Sequence, residues 1–413
     1  MTTETRRDLS DIQLLDPDVY VRGQPHDQWA RLRAQQPVFF HERWHAYPPH
    51  WAITKYNDIV YVSRNPTLFI SGLGITAGND PHHPEEDAGL GTMMITSDPP
   101  RHVRLRRLVN KGFTPRAIGE LESHVRRIVT RILDNVQGKG ECDFVLEVSS
   151  ILPLAVICDM MGVPEPDWPR MFDLTNRTLG AEDPEYQVEG VDANQTGYLA
   201  RMEMFQYFAK MVAERQYQKK EDLVTTLVDS DIDGEKLTDE EILFFCFLLI
   251  VAGNETTRNA TTGGLLALFD HPEQRERLQN DRSLLPTAIE EILRWTSPVT
   301  HMSRTATQDT EVGGQLIRTN EKLVMWYPSA NRDEAIFPNP FRFDEPRTPN
   351  EHIAFGIGEH FCLGASLARL ELRVMFEELL QRLPDIQPAG PPERLRSNFI
   401  GGIKHLPVRF TAR

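Results

Sequence analysis

Most of the chain alternates apolar and polar residues with the period of an amphipathic helix. This helical pattern begins after Pro99 and continues with few interruptions to about residue 295. Three shorter stretches, 51–54, 323–327 and 405–410, alternate with the period of a strand. Proline-rich and polar segments at 48–49 and 78–86 are typical of loops. The pattern therefore predicts a mainly α protein with a minor β component.

One predicted helix is unusually long and carries a polar interruption. Thr238 and Glu241 form a capping-box signal, and no proline follows until Pro272. About thirty helical residues would span roughly 45 Å. Midway, residues 252–257 read Ala-Gly-Asn-Glu-Thr-Thr, a combination that weakens an apolar helix and offers hydroxyls that can divert its hydrogen bonds. This polar turn is either a solvent-facing part of the helix or a functional break.

A glycine-rich segment near the C-terminus surrounds one cysteine. Residues 355–364 read Phe-Gly-Ile-Gly-Glu-His-Phe-Cys-Leu-Gly, and glycine permits close backbone approach. From Cys362 onward, apolar residues recur at helical spacing, which predicts a helix that begins at the cysteine and favours its thiolate. Taken alone, Cys362 is either a buried structural cysteine or a thiolate metal ligand.

Composition narrows the class of protein. The chain has 413 residues, 40% of them hydrophobic, and a formal net charge of −15, which argues against nucleic-acid binding. Its four cysteines, Cys142, Cys158, Cys246 and Cys362, form no close pair, which favours a reducing compartment. The longest apolar run, 242–252, is shorter than the roughly twenty residues that cross a bilayer. Because the polar N-terminus also has no signal core, we expect a cytoplasmic protein without a membrane span.

Residues 355–364 resemble the haem-binding loop of the cytochrome P-450 family, Phe-Gly-x-Gly-x-His/Arg-x-Cys-x-Gly, at every position. Residues 252–257 match the family's oxygen-groove pattern Ala-Gly-x-Asp/Glu-Thr-Thr in full. The resemblance implies that Cys362 is the axial metal ligand of haem b, iron protoporphyrin IX, in a haem-thiolate monooxygenase. It assigns proton delivery to Glu255 and Thr256 as the catalytic residues, because O–O scission requires protons while bulk water stays out.

The resemblance also implies the architecture. We expect one catalytic domain over 1–413 with the family's helix-rich triangular prism and a minor β-rich region. Its parts would be an N-terminal tail at about 1–15, an oxygen-groove helix at about 239–269 and the haem-thiolate loop at 355–364. A buried pair of Glu291 and Arg294 would support the segment that leads to this loop.

Further cofactor contacts follow from the same resemblance. Buried haem propionates require cations, and the family positions point to His102, Arg106, Arg304 and His360. The remaining cofactor-binding positions are Ala252, Phe355, Gly356 and Gly364.

The substrate is expected to be lipophilic. Most family-like pocket positions are apolar, and they are Ile75, Met93, Met94, Ile95, Val251, Val299, Thr300, Met302, Phe399 and Ile400. From about residue 50 onward the chain resembles the actinobacterial branch that acts on sterol side chains and methyl-branched lipids. The resemblance implies hydroxylation at a terminal or near-terminal carbon of such a lipid, an isoprenoid or a sterol side chain.

Three alternatives remain. The substrate could be another hydrophobic small molecule, such as a terpenoid or a secondary metabolite. A peroxygenase would not need Glu255 and Thr256, and a non-catalytic haem-thiolate sensor would need an effector domain that the sequence does not display.

Electrons must come from outside, because the chain has no flavin or iron–sulfur module of its own. We expect a monomer that receives them from NAD(P)H through a ferredoxin reductase and a ferredoxin, with O2 as co-substrate. Between Arg101 and Arg116 lie five arginines, one lysine, one histidine and no acid. This segment is either an ordinary solvated face or a docking surface for the acidic ferredoxin.

Overall fold

A computed structural model describes residues 9–86, 89–232 and 234–413. The first eight residues of the predicted N-terminal tail therefore lie outside the described residues. The described chain is mainly helical with a small β component, as the hydrophobic pattern predicts.

Helices build most of the molecule. Among the described residues, the α-helices are α1 (Pro17–Tyr20), α2 (His26–Gln35), α3 (Tyr56–Arg64), α4 (Arg101–Asn110), α5 (Pro115–Glu120), α6 (Glu122–Gln137), α7 (Ile151–Met161), α8 (Trp168–Leu179), α9 (Ala193–Tyr217), α10 (Leu223–Val228), α11 (Asp239–Asp270), α12 (Pro272–Asn280), α13 (Leu285–Thr296), α14 (Tyr327–Ala330) and α15 (Ala365–Arg382). Short 3₁₀ turns and a π-helical segment at Val145–Ser149 join some of them.

Strands form one mixed sheet and several small ones. They are β1 (Val38–His41), β2 (His50–Ile53), β3 (Phe69–Ile70), β4 (Glu141–Asp143), β5 (Asp231–Ile232), β6 (Glu235–Lys236), β7 (His301–Ala306), β8 (Thr310–Val312), β9 (Gln315–Ile317), β10 (Lys322–Trp326), β11 (Gln387–Pro388), β12 (Glu393–Arg394), β13 (Ile403–His405) and β14 (Pro407–Arg409). The largest sheet has the order β1-β2-β10-β7-β3. Only β2 and β10 are parallel in it, with Val324 opposite Ala52.

Helix α11 runs through the middle of the helical region. Its N-terminus has the capping box that the sequence predicts, with Thr238 and Glu241 bonded to each other's backbone. The helix packs on α7, α9, α13 and α15. At the contact with α13, an added Cβ on Gly264 would lie 2.7 Å from Ile292, so glycine is needed for this close approach. The core of the helical region therefore forms around α11.

The predicted functional break does not interrupt α11, which continues through residues 252–257. The local hydroxyls instead donate to carbonyls one turn earlier while the helix runs on. Thr256 donates to Ala252, and Thr261 donates to Thr257. The polar turn is a change of side-chain chemistry within a continuous helix.

Two boundaries of secondary-structure elements differ from those that the sequence predicts. Helix α15 begins at Ala365, so Cys362 precedes the helix by three residues instead of starting it. The predicted strand at 405–410 is two strands, β13 and β14, which are separated at Leu406. No helix among the described ranges combines the length and the apolar character that crossing a bilayer requires.

Candidate active site

A cavity lies where α11, α4, β7 and the segment around Cys362 meet. Its volume is about 1520 Å³, including the part that is open to solvent. Cys362 and Thr256 both line it. The two motifs that stand out in the sequence, about a hundred residues apart, therefore border one space.

The glycines of the cysteine loop are needed for its shape. Gly356 and Gly358 have φ angles of +68° and +79°, which other residues rarely adopt. An added Cβ on Gly358 would lie 2.4 Å from the backbone oxygen of Ser63. With this tight turn, the Cys362 N–H donates to the Phe355 carbonyl at 2.9 Å and closes the loop. The turn fixes the position of the cysteine at the cavity wall.

The environment of Cys362 suits a thiolate that binds a cation. Burial raises the pKa of the Cys362 thiol, while the N–H of Gly364 and the charges of Arg106 and Arg369 act in the opposite direction. A metal ion would supply the remaining stabilisation, because a coordinating thiol is deprotonated. Phe355, Gly356 and Gly364 also line the cavity beside the sulfur. The loop can therefore hold a thiolate-ligated iron.

Four cationic or potentially cationic side chains meet in the cavity wall, and they are His102, Arg106, Arg304 and His360. The rings of His102 and His360 are 4.2 Å apart. Burial, followed by the charges of Arg304, His102 and Arg106, lowers the pKa of His360 to about 2. Among the described residues, no carboxylate forms an ion pair with Arg106 or Arg304. Arg106 and Arg304 therefore supply positive charge for the two propionates of a haem, and the rings of His102 and His360 lie beside them as hydrogen-bonding groups.

Thr256 and Glu255 occupy different sides of α11. Thr256 and Ala252 line the cavity, and the Thr256 hydroxyl donates to the Ala252 carbonyl at 2.9 Å. Glu255 does not line the cavity, and its carboxylate forms a buried ion pair with Arg258. Burial raises the pKa of Glu255, while Arg258 and Asn259 oppose this shift. The expected proton-delivery pair is therefore split between the cavity and the interior behind the helix.

Glu291 and Arg294 form a fully buried pair on α13. Arg294 donates to both Glu291 oxygens at 2.7 Å. It also donates to the carbonyls of Asn331 and Pro340, at 2.8 and 2.9 Å. Arg347 binds the same carboxylate at 3.1 Å. The pair thus fastens residues 331–347 to the helical region, in the segment that precedes the cysteine loop.

The predicted substrate positions divide into two groups. Met94, Ile95, Val299 and Met302 line the cavity. The others do not, and they are Ile75, Met93, Val251, Thr300, Phe399 and Ile400.

Contacts with other chain segments account for the position of several residues that do not line the cavity. The carbonyl of Ile75 accepts from Ser303 N–H at 2.7 Å, which ties this residue to β7. The hydroxyl of Thr300 donates to the Phe399 carbonyl at 3.0 Å, so Thr300 serves the contact between two chain segments. Ile400 pairs with Val299 in an isolated β-bridge.

Sequence reasoning missed part of the cavity wall. Leu248 and Leu249 line it, together with Gly253 and with Ile157 from α7. Leu248 and Leu249 precede Ala252 by four and three residues, so helical spacing could have placed them on the same face. Glu371 of α15 also lines the wall, and burial raises its pKa to about 8. Its position four residues after Leu367, within the apolar stripe, was the available signal.

The basic segment at 101–116 presents less positive charge than the sequence predicts. Arg101 pairs with Glu241 at 2.9 Å, and Arg104 pairs with Glu235 at 3.1 Å. Arg106 faces the cavity. Arg107 is exposed, and Arg116 is 93% exposed with Glu120 at 3.7 Å. The exposed positive charge therefore lies towards the end of α4 and in α5.

Comparison with known proteins gives consistent matches. The cytochrome P-450 family model matches residues 193–394. The methyl-branched lipid omega-hydroxylase of Mycobacterium tuberculosis is 42% identical, over 97% of this chain and 93% of that protein. The steroid C26-monooxygenase of Rhodococcus jostii is 40% identical, over 96% of this chain and 84% of that protein. The structure of Mycobacterium marinum cytochrome P-450 CYP268A2 in complex with pseudoionone superimposes with a TM-score of 0.90. It is 38% identical, over 98% of this chain and 99% of that one.

Proposed function

The chain belongs to the cytochrome P-450 family and is a haem-thiolate monooxygenase, and from this premise we propose that it hydroxylates a methyl-branched lipid, an isoprenoid or a sterol side chain. The position attacked is the terminal or a near-terminal carbon of the chain. Support comes from relatives named for omega-hydroxylation of methyl-branched lipids and for steroid C26 oxidation, which cover almost the whole chain.

The observation that carries the substrate class is the apolar wall of the cavity. Ile157, Leu248, Leu249, Val299 and Met302 all line it. None of these side chains ionises or donates a hydrogen bond, so this wall favours a hydrocarbon over a charged group. A terminal methyl group fits such a wall, and the polar end of a lipid would lie away from it.

Each group of residues at the site has its own role in the reaction. Cys362 would bind the iron, the guanidinium groups of Arg106 and Arg304 would pair with the propionates, and the rings of His102 and His360 would offer them hydrogen bonds. Haem supplies the activation of O2 when it is bound, in the net reaction R–H + O2 + 2 e⁻ + 2 H⁺ → R–OH + H2O. The Thr256 hydroxyl would pass protons at the cavity wall, and Glu255 would replenish them from behind α11. The apolar wall keeps bulk water away from the reacting carbon.

A spectral titration of the purified holoenzyme tests the substrate class. Sterols, methyl-branched fatty acids and acyclic terpenoids are each added, with an unbranched fatty acid of equal carbon number as the control. Binding of a fitting substrate is expected to shift the spin state of the iron, and the branched or isoprenoid compounds should do so at lower concentration. A response only to the unbranched acid, or to none of these compounds, would overturn the proposal.

A terpenoid substrate is the second candidate. The similar structure of CYP268A2 is described in complex with pseudoionone, a small acyclic isoprenoid ketone. The same titration separates the two candidates: a spin-state shift with acyclic terpenoids alone would favour the terpenoid, whereas a shift with sterols or methyl-branched fatty acids would favour the lipid.

The electron donor is proposed to be an acidic ferredoxin that is reduced by a reductase with NAD(P)H. The exposed cations of α4 and α5 support this, with Arg107 and Arg116 turned to solvent. We further propose a monomer that acts in the cytoplasm, where its four unpaired cysteines stay reduced.

Charge reversal tests the docking surface. In the variant Arg107→Glu/Arg116→Glu, the rate of reduction by ferredoxin should fall at low salt and lose most of its salt dependence, while substrate affinity stays unchanged. The control is Arg131→Glu, a charge reversal on α6 at a residue paired with Glu165. Equal reduction rates in both variants and the wild type would contradict docking at α4 and α5.

A further inference from the structure

Behind α11, three buried polar atoms have no hydrogen-bond partner in the described part of the chain. They are Asn254 Oδ1, Glu255 Oε1 and Arg258 Nε, and they lie within about one helical turn. The three side chains are almost completely buried. Each unpaired atom of this kind is costly, and internal water is the usual partner where several polar groups share one place. These atoms therefore offer one donor and two acceptors to ordered water on the side of α11 away from the cavity.

Polar contacts lead from these residues towards the end of α8. Arg258 donates to Asn176 Oδ1 at 2.8 Å. Close to Asn176, Gly180 ends the helix, and an added Cβ there would lie 2.6 Å from the ring of Tyr186. Burial raises the pKa of Tyr186, and the charges of Arg258 and Glu255 also act on it. Tyr186 thus packs beside the residues that hold the buried ion pair.

Beyond Tyr186 lies a group of titratable side chains that reaches the surface. Its members are Asp143, Asp183, Glu185, Lys404 and His405, and we call them the surface cluster. His405 bonds Asp143 at 2.6 Å through Nδ1 and Glu185 at 3.0 Å through Nε2. Lys404 binds Asp183 at 3.1 Å and Glu185 at 2.8 Å. Glu185 directly precedes Tyr186 in the chain, and the charges of Glu185 and Asp183 act on the tyrosine, so the cluster lies beside the segment that carries it.

The surface cluster is also fixed to α11. Strand β13, which carries Lys404 and His405, is bonded to the helix because the Ile403 N–H donates to Asn259 Oδ1 at 3.0 Å. Asn259 in turn donates to the carbonyl of Glu255 at 2.9 Å. These hydrogen bonds fix the position of the cluster relative to Glu255, and a route for protons requires such fixed positions.

We propose that protons reach Glu255 from the surface cluster, past the Tyr186 hydroxyl and through water held by Asn254, Glu255 and Arg258. Each transfer moves one proton along hydrogen bonds, and a proton from solvent replaces it at the cluster, so no oxidant or reductant is involved. The route avoids the apolar wall of the cavity, so bulk water need not enter with the substrate. Tyr186 acts through Glu255 and is a positioning residue for this relay.

The variant Tyr186→Phe tests the route, because it removes the hydroxyl and keeps the ring that packs at Gly180. In turnover of the holoenzyme with its electron donors, product formed per NAD(P)H consumed should fall on the order of tenfold, as for loss of a group that orients a catalytic one. Peroxide should rise in compensation, by O2 + 2 e⁻ + 2 H⁺ → H2O2. Haem content and substrate affinity should not change. The control is Tyr207→Phe, which removes a hydroxyl that bonds Asp167 at 2.7 Å.

Two further measurements do not depend on the tyrosine variant. The variant His405→Gln keeps hydrogen bonding at the cluster but cannot take up a proton, so its solvent isotope effect on turnover should increase severalfold. A high-resolution crystal structure of the holoenzyme should show ordered water at Asn254 Oδ1, Glu255 Oε1 and Arg258 Nε. This readout requires neither turnover nor knowledge of the substrate.

The outcomes are decisive in either direction. Wild-type coupling in Tyr186→Phe, or a crystal structure in which these three atoms have no water within hydrogen-bonding distance, would overturn the route. If Tyr186→Phe binds no haem, an unchanged isotope effect in His405→Gln would overturn it. A different substrate class would leave the water structure unaffected, so failure of the proposed function is distinguishable from failure of the route.

Discussion

Glu255 and Arg258, one turn apart on α11, form an ion pair in which each side chain is only 1% exposed. The pair lies behind the helix, whereas Thr256 between them lines the cavity. At this turn of α11 the charged pair therefore lies in the interior, while the Thr256 hydroxyl lies on the cavity side of the helix. This separation allows a proton source to lie close to the cavity without placing a charged group against a lipophilic substrate.

Breaking this ion pair should destabilise the protein. In Arg258→Met, Glu255 would remain buried without its partner, which typically costs about 3–5 kcal/mol. The double variant Glu255→Gln/Arg258→Met should recover most of this loss, because two neutral groups replace the unpaired charge. Urea unfolding of the holoenzyme measures both effects. The exposed control Arg107→Met should stay within about 0.5 kcal/mol, and an equal loss in it would contradict the special role of the pair.

Removal of the Thr256 hydroxyl should uncouple the reaction. In Thr256→Ala, the rate of product formation should fall on the order of 100-fold or more, since positioned proton transfer contributes at least that much. NAD(P)H consumption should continue, with peroxide as its product. Thr261→Ala is the matched control, because its hydroxyl also donates to a carbonyl one turn earlier but lies outside the cavity lining. Similar product rates in both variants would argue against the role of Thr256.

The parts of the site that depend on residues close together in the sequence were predictable. The capping box of α11, the cysteine loop and the Glu291–Arg294 pair depend on local spacing, and the structure contains all three geometries. The resemblance to the family supplied the rest of the cofactor site. All four side chains that it names for the propionates line the cavity.

Adjacent residues of a helix point in different directions, but which of Glu255 and Thr256 faces the cavity was not predictable from the sequence. It depends on Arg258 and Asn176, which lie on two helices. The substrate wall was also only partly foreseen, because contacts such as Thr300 with Phe399 are tertiary. Ion pairs across elements, such as Arg101 with Glu241, likewise neutralise charges that appear free in the sequence.

Gly358 should be indispensable for haem binding. In Gly358→Ala, the new Cβ would lie 2.4 Å from the Ser63 oxygen, and the φ angle of +79° would also be strained. Haem content after purification should therefore fall sharply. Gly314→Ala separates the two effects, because Gly314 has a φ of +78° but no atom within 4 Å of an added Cβ. That control should lose about 1–2 kcal/mol of stability and retain its haem, and a parallel haem loss would contradict the steric argument.

Glu371 should make stability depend on pH. Burial raises its pKa from 4.5 to about 8, so the folded state binds a proton that the unfolded state releases between these values. The free energy of unfolding should therefore fall by about 1.4 kcal/mol for each unit of pH between about 4.5 and 8. In Glu371→Gln this contribution disappears, and the variant should be more stable than the wild type at pH 8.

Comparison of unfolding free energies at pH 5 and pH 8 measures this difference. The control Glu276→Gln removes an exposed carboxylate from α12 and should follow the wild-type profile. If Glu371→Gln and the wild type lose the same stability over this range, Glu371 is not the buried acid responsible.

The most direct test of the account is the fate of isotopically labelled O2 in turnover with a methyl-branched lipid, NAD(P)H and the electron-transfer partners. Mass spectrometry of the product should show one labelled oxygen atom in a hydroxyl group at the terminal or a near-terminal carbon. The variant Cys362→Ser should give none of this product. An unlabelled hydroxyl group, oxidation in the middle of the chain, or the same labelled product from Cys362→Ser would contradict the account.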